Sequence, residues 1–307
     1  MKETYTVARN PFTVSAPDSL SAWRRLRPRF LPFLSDGTEK PLLEIDITPG
    51  TLPECDGETI YEPEHSGIGP IASRTLRLPD GSLVLEFRHV EESLPRLLMK
   101  MSPDFGRADI TIDRDGAPDA SYFLTHAMML AYMLAASRTG TLLIHASSVI
   151  LDGRAYLFQG KSGTGKSTHA ALWTDNIPGA ELLNDDNPVI RPDADGRGVA
   201  YGSPWSGKTH CYRNLAAPVG AFVRIVRAKK NELRRLPPLN AYASLSASVF
   251  YLPFMEKELR DIRHSVIERL AQATACCEMH CLPDADAALT CMKGVTASSM
   301  YGHAFGM

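Results

Sequence analysis

Through the first 120 residues, apolar and polar positions alternate in short runs. Residues 42–47, 73–78, 83–87 and 108–112 each put apolar side chains at every second place, which predicts β-strands with one buried face. Pro79-Asp80-Gly81 separates the second run from the third and predicts a hairpin turn. Residues 93–101 read as a helix, and 49–70 as loop-rich. At 122–137 the period changes: Phe123, Met129, Tyr132 and Met133 recur at helical spacing, as core positions do. Two β-rich runs follow, 142–151 and 154–159, joined by the hairpin dipeptide Asp152-Gly153. The turn sets the register: Leu151 faces Arg154, Val149 faces Tyr156 and His145 faces Gly160. Further on, 221–226 and 233–236 read as strands, and 240–249 and 258–275 as helices. The last of these repeats Leu259, Ile262, Val266 and Leu270. A strand at 278–282, a short helix after Pro283 and a loose tail at 296–307 close the chain.

The strand at 154–159 ends in Gly160-Lys161-Ser162-Gly163-Thr164-Gly165-Lys166-Ser167, which fits G-x-x-x-x-G-K-[ST]. Glycines at these places let consecutive backbone N–H groups turn inward around phosphate oxygens. Lys166 brings a charge to the β- and γ-phosphates, and the Ser167 hydroxyl suits Mg²⁺. Residues from Ser167 and Thr168 onward read as a helix, whose N-terminus favours an anion. Residues 160–168 are thus the expected nucleotide-binding stretch. Gly202-Ser203-Pro204-Trp205-Ser206-Gly207-Lys208-Thr209 fits the same pattern. Pro204 lacks an N–H, however, and Trp205 crowds a phosphate nest. This second loop is expected to serve another role, with Lys208 and Arg213 as donors to an anionic substrate group.

Between the two loops, Glu181-Leu182-Leu183-Asn184 runs into Asp185-Asp186. Paired carboxylates after a short apolar run suit Mg²⁺ and a reacting hydroxyl. His145, placed by the hairpin beside Gly160, joins this candidate site.

Composition narrows the partners. The chain has 307 residues and a formal charge of −2, and no basic face for nucleic acid is expected. The most apolar run, 123–136, is too short for a membrane span. No apolar signal-type segment opens the chain, so a cytoplasmic location and reduced thiols are expected for the six cysteines. Cys276, Cys277, His280 and Cys281 suggest zinc at first sight. The alternation of Cys277, Met279 and Cys281 reads instead as a strand core.

His145, the 160–167 loop and Asp185-Asp186, in that order, resemble the HPr kinase/phosphorylase family. The likeness is greater to the HPr-kinase-like proteins associated with peptide modification. Both are similar to the nucleotide-binding part of ATP-dependent phosphoenolpyruvate carboxykinase. The resemblance implies a mixed α/β fold. A phosphoenolpyruvate-carboxykinase-like P-loop kinase domain would occupy 122–295, behind a smaller β-rich N-terminal domain at 1–121. It implies active-site roles for His145 and Lys166, Ser167 as a Mg²⁺ ligand and Asp185 as the base. Asp186 is the expected second metal ligand. The family's Arg-Gly-Leu-Gly-Ile signature has no match here, so neither HPr as substrate nor the reverse reaction is expected. The expected activity is ATP- and Mg²⁺-dependent transfer of a phosphoryl group to a hydroxyl of a peptide, protein or metabolite. Neither nucleic acid nor membrane is an expected partner, and homo-oligomerisation stays open. The alternatives are a non-catalytic nucleotide-binding regulator and a P-loop ATPase.

Overall fold

Strands form where side chains alternate, and two large sheets result. The computed structural model describes residues 1–63, 71–92, 96–207 and 209–301. The chain divides into two compact units. One is Met1–Thr139 with Leu252–Glu256; the other is Gly140–Tyr251 with Lys257–Met307, of which Lys208 and 302–307 lie outside the described residues.

The first unit contains β1 (Lys2–Val7), β2 (Asn10–Ser15), α1 (Ser21–Phe30), β3 (Leu43–Pro49), β4 (Glu58–Tyr61), β5 (Ile71–Arg77), β6 (Leu83–His89), β7 (Leu97–Met101), β8 (Arg107–Ile112) and α2 (Ala120–Ser137). Its sheet has the order β1-β2-β3-β8-β7-β6-β5-β4. The Pro79-Asp80-Gly81 turn joins antiparallel β5 and β6, with Arg77 opposite Leu83. The boundary falls after Thr139 rather than at 121, because α2 packs over β3, β7 and β8 and against α1. Tyr132 of α2 fixes this arrangement: its hydroxyl donates to Val7 O at 2.9 Å and its ring meets Phe12 edge-on.

Two expectations fail here. Residues 97–101 form β7, not a helix. Its Leu97, Leu98, Met99 and Met101 are all buried, so both faces are covered and the alternation that marks a strand is lost. The rest of that predicted helix, 93–95, lies outside the described residues. A strand, β4, also sits within the stretch read as loop, of which 64–70 lie outside the described residues.

The second unit contains β9 (Leu142–Leu143), β10 (Ala146–Leu151), β11 (Arg154–Gln159), α3 (Lys166–Asn176), β12 (Glu181–Asp186), β13 (Val189–Pro192), β14 (Gly198–Tyr201), β15 (Ala216–Arg227), β16 (Glu232–Arg235), α4 (Pro238–Ser246), α5 (Lys257–Ala273), β17 (Ala275–Cys281) and α6 (Ala285–Tyr301). Its sheet runs β12-β10-β11-β15-β14-β13-β9, with β17 also beside β15 and β16 beside β17. Alternate residues of β11 feed two cores. Ala155 and Leu157 join α4 and α5 through Leu245 and Ile267. Tyr156 and Phe158 join α3 and α6 through Trp173 and Cys291. Helices thus cover both faces, as parallel pairing of β11 with β15 requires.

The run 142–151 is broken. Ile144 N donates to Pro188 O at 3.2 Å and His145 N to Ser248 O at 2.8 Å, so neither amide joins the β10 ladder. The expected loose tail is also corrected: α6 continues to Tyr301, because Ala287, Ala288, Cys291 and Val295 line one buried face. The cysteines are free thiols, and among the described residues no cluster suited to a metal forms around them.

His169 of α3 is 2% exposed, and its ring lies against Phe158. Trp173 Nε1 donates to its Nε2 at 3.2 Å. Burial pushes the imidazole down to about 4. In the unfolded chain it titrates near ~6.5, so stability is full above that pH and is lost as pH falls toward 4. The loss amounts to at most about 3 kcal/mol. Urea unfolding at pH 7 and pH 4.5 should show this loss in the wild type and a smaller one in His169→Gln.

Candidate functional site

The turn after β11 is built on backbone that only glycine adopts easily. Gly160 has φ +146°, and a Cβ there would sit 2.7 Å from Thr164 Oγ1 and 3.3 Å from Ile225 O. Gly165, at φ +108°, precedes the first turn of α3, which no side chain caps. Thr164 closes the loop on itself: its N–H and hydroxyl donate to Lys161 O at 3.2 and 2.8 Å. Arg227, at the end of β15, donates to Gly163 O and to Thr164 O. Lys161, Ser162, Gly163, Ser167 and Thr168 are exposed along the loop and its exit.

Lys166 turns inward and is 7% exposed. Its Nζ lies 2.8 Å from His145 Nε2, 3.1 Å from Gly160 O and 3.4 Å from Lys161 O. The hairpin pairs Leu151 with Arg154 and Val149 with Tyr156, and Lys166 Nζ reaches both His145 and Gly160. An ammonium has only donors, so His145 Nε2 accepts and its Nδ1 carries the hydrogen. That Nδ1 lies 2.9 Å from Asp186 Oδ1. Burial lowers the Lys166 ammonium below its ordinary value, against the opposing pull of Asp186 and Asp185. Burial alone would raise Asp186. The hydrogen bond from His145, the nearby positive charge and the Asn187 amide outweigh it, and the carboxyl sits below the usual range.

A second chain runs alongside. Register sets Ser147 directly opposite Asp185 and Ala146 opposite Asp186, with a bulge at Ser148/Val149. Ser147 Oγ donates to Asp185 Oδ1 at 2.5 Å and lies 3.3 Å from Ser167 Oγ. Consecutive residues are thus joined to consecutive carboxylates, one through His145 just before β10 and one through Ser147 within it: Lys166–His145–Asp186 and Ser167–Ser147–Asp185. Asp186 has φ +115°, so the strand turns there. Asp185 is 2% exposed, while the Asp186 side chain keeps 38%.

The loop at 202–209 holds this strand end in place. Gly207 N and Ser206 Oγ donate to Asp185 O at 2.5 and 3.0 Å, and Thr209 N reaches Asp185 Oδ2 at 3.4 Å. These groups are therefore turned to the protein's own residues and not offered to a ligand. The next described element after the loop is β15, not a helix. Lys208 lies outside the described residues. The structure does not bring Arg213 to the pair of carboxylates: it donates to Leu182 O at 2.7 Å and to Glu181 Oε2 at 2.6 Å.

Sequence reading did not single out Ser147. Its signal was its place two residues after His145, on the same face of a strand. Asn184 and Ser203, both fully buried, were also missed. Asn184 Nδ2 donates to Ser203 Oγ at 3.3 Å, and Ser203 Oγ donates to Asn187 O at 2.7 Å.

Among the described residues no three His, Cys, Asp or Glu side chains cluster as a self-sufficient metal site. One serine hydroxyl beside carboxylates is a donor set for a Mg²⁺ that keeps waters or phosphate oxygens as its other ligands. The residues present therefore fit that ion.

No family model matches the chain, and no curated relative matches it. Among matching solved structures is the Hpr(Ser) kinase/phosphatase from Coxiella burnetii. It is 14% identical, with a TM-score of 0.29, and the match covers 52% of this chain and 95% of that one. A likeness at that level assigns neither activity nor substrate to this chain. No described helix is long and apolar enough to cross a membrane.

Ser203 makes one donor and two acceptor contacts without exposure to water. Ser203→Ala should lower the unfolding free energy by about 1–3 kcal/mol, the penalty of buried groups left unpaired. Urea denaturation of the variant measures it.

Proposed function

We propose that the chain is a Mg²⁺-dependent kinase that moves the γ-phosphoryl group of ATP to a hydroxyl of a peptide, protein or small molecule. The observation that carries this reading is the pair of parallel chains from Lys166 and Ser167 to Asp186 and Asp185. A regulator that only holds nucleotide needs the loop, but it has no use for two carboxylates tied to it. Phosphoryl transfer needs positioning and charge neutralisation more than covalent chemistry, and the site is made of such parts.

In this reading the loop amides and Lys166 hold the phosphates. Mg²⁺ supplies charge neutralisation on the phosphate oxygens when bound, and Ser167 with Asp185 would hold it, directly or through water. Asp185 is buried, is linked to Ser167 through Ser147 and is fixed by the 202–209 loop, which suits a ligand-side role. Asp186 is the more exposed carboxylate, so an acceptor hydroxyl can reach it. It orients that hydroxyl and takes its proton, while His145 holds its other side. This reading reverses the roles expected from the sequence, in which Asp185 is the base and Asp186 the metal ligand. His145 links Lys166 to Asp186 through contacts at its two ring nitrogens. Lys208 and Arg213 are not needed for any of these steps.

Calorimetric titration with Mg-ATP tests the loop. Lys166→Ala should weaken binding by about 2–3 kcal/mol, the scale of a charge-assisted hydrogen bond; unchanged affinity would sink the assignment. Because burial has lowered the Lys166 ammonium, affinity should decline with rising pH earlier than an ordinary lysine would allow. The carboxylates separate through ATP hydrolysis, with water standing in for the acceptor. Asp186→Asn should lower the maximal rate by ~10²–10⁴-fold at saturating Mg²⁺. Asp185→Asn should mainly raise the Mg²⁺ concentration needed. The opposite pattern would restore Asp185 as base.

A further inference from the structure

Beside the phosphate loop is a cavity of ≈ 390 Å³ that no step above uses. Its walls include Thr168 and Leu172 of α3, Ile225 and Arg227 at the end of β15, and Leu282 and Pro283 after β17. Thr164 and Gly165 of the loop also line it, whereas His145, Asp185 and Asp186 do not. Its size falls in the range of small-molecule sites, roughly 300–1,000 Å³. Leu282, on its rim, leaves 40% of its surface exposed although it is a large apolar residue. Arg227 is held by its bonds to Gly163 O and Thr164 O, so its planar guanidinium is fixed at the edge of the cavity before any ligand arrives.

From this juxtaposition we infer that the cavity takes the base of the nucleoside triphosphate whose phosphates lie in the 160–167 loop. Leu172, Ile225, Leu282 and Pro283 supply apolar contact, and Arg227 offers a flat cation to a flat ring. This inference rests on the phosphate-loop reading above and adds to it the half of the ligand that the motif does not describe. One loop serves both ends: its amides face phosphate oxygens, while Thr164 and Gly165 border the cavity. A polyphosphate without a base fills only the loop, so the cavity accounts for preference of a nucleotide over bare triphosphate. It also gives Arg227 a second job beyond bracing the loop.

Calorimetry with two probes, Mg-ATP and inorganic tripolyphosphate with Mg²⁺, tests this in three proteins: wild type, Leu172→Trp and Leu282→Asp. The first substitution fills the cavity, and the second puts a charge on its exposed rim without disturbing the core. ATP should bind the wild type about tenfold or more tighter than tripolyphosphate, the worth of roughly one aromatic contact with its burial. Both variants should lose that margin and keep wild-type affinity for tripolyphosphate, which also shows that they are folded. ATP affinity at the wild-type level in Leu282→Asp, or in a Leu172→Trp that still binds tripolyphosphate, overturns the cavity assignment and leaves the loop standing. If neither probe binds the wild type, the phosphate-loop reading falls and this inference falls with it.

Discussion

The site depends on the register of one strand. β10 lies between β11, which leads into the 160–167 loop, and β12, which ends in the two carboxylates. Antiparallel pairing on both sides fixes what stands beside what: Ala146 faces Gln159 on one flank and Asp186 on the other. A shift by one residue would carry Ser147 from the face it shares with Phe158 and Trp173 to the opposite one, where Leu245 now packs. The Asp152-Gly153 turn sets the first register. The bulge at Ser148/Val149 and the brace from the 202–209 loop set the second. None of these features touches a ligand, yet each decides where a polar group meets the loop.

Local signals were the ones legible in the sequence. The hairpin pairing needed only an Asp-Gly turn between two β-rich runs, and the loop only its glycine spacing. What depended on distant pairing was hidden. Ser147 owes its contact with Asp185 to a strand 38 positions away, and its place two residues after His145 is the one local hint. The contrast in exposure between Asp185 and Asp186 goes with a left-handed backbone at Asp186, which no rule for a non-glycine residue anticipates. In the first unit, prolines obscured the elements. Pro11 lies in β2 and Pro28 inside α1, where propensity argues against either. Strand β7 went unseen because both its faces are covered.

The two units differ in where they place their charges. At a cavity of ≈ 800 Å³ in the first unit, Arg74 pairs with Glu86 and Arg96 with Glu92. In the second, Lys166, Asp185 and Asp186 converge without full separation by solvent. Two of the three are almost wholly buried. Burial of that kind persists only where the groups satisfy one another, and each here has a partner.

On the proposed function, that satisfaction shapes how a ligand enters. The ammonium of Lys166 already holds acceptors in the ring nitrogen of His145 and the carbonyls of Gly160 and Lys161. An arriving anion therefore gains by exchange: it must offer more than two carbonyls and a neutral ring already give. Bonds to charged oxygens are about twice as strong as neutral ones, and several can act together on adjoining amides. A singly charged ion with one oxygen in reach has little to offer against that resting set. A multiply charged phosphate chain has enough. If the loop binds phosphate as proposed, its closure sets a threshold on charge density before any residue reads the rest of the ligand.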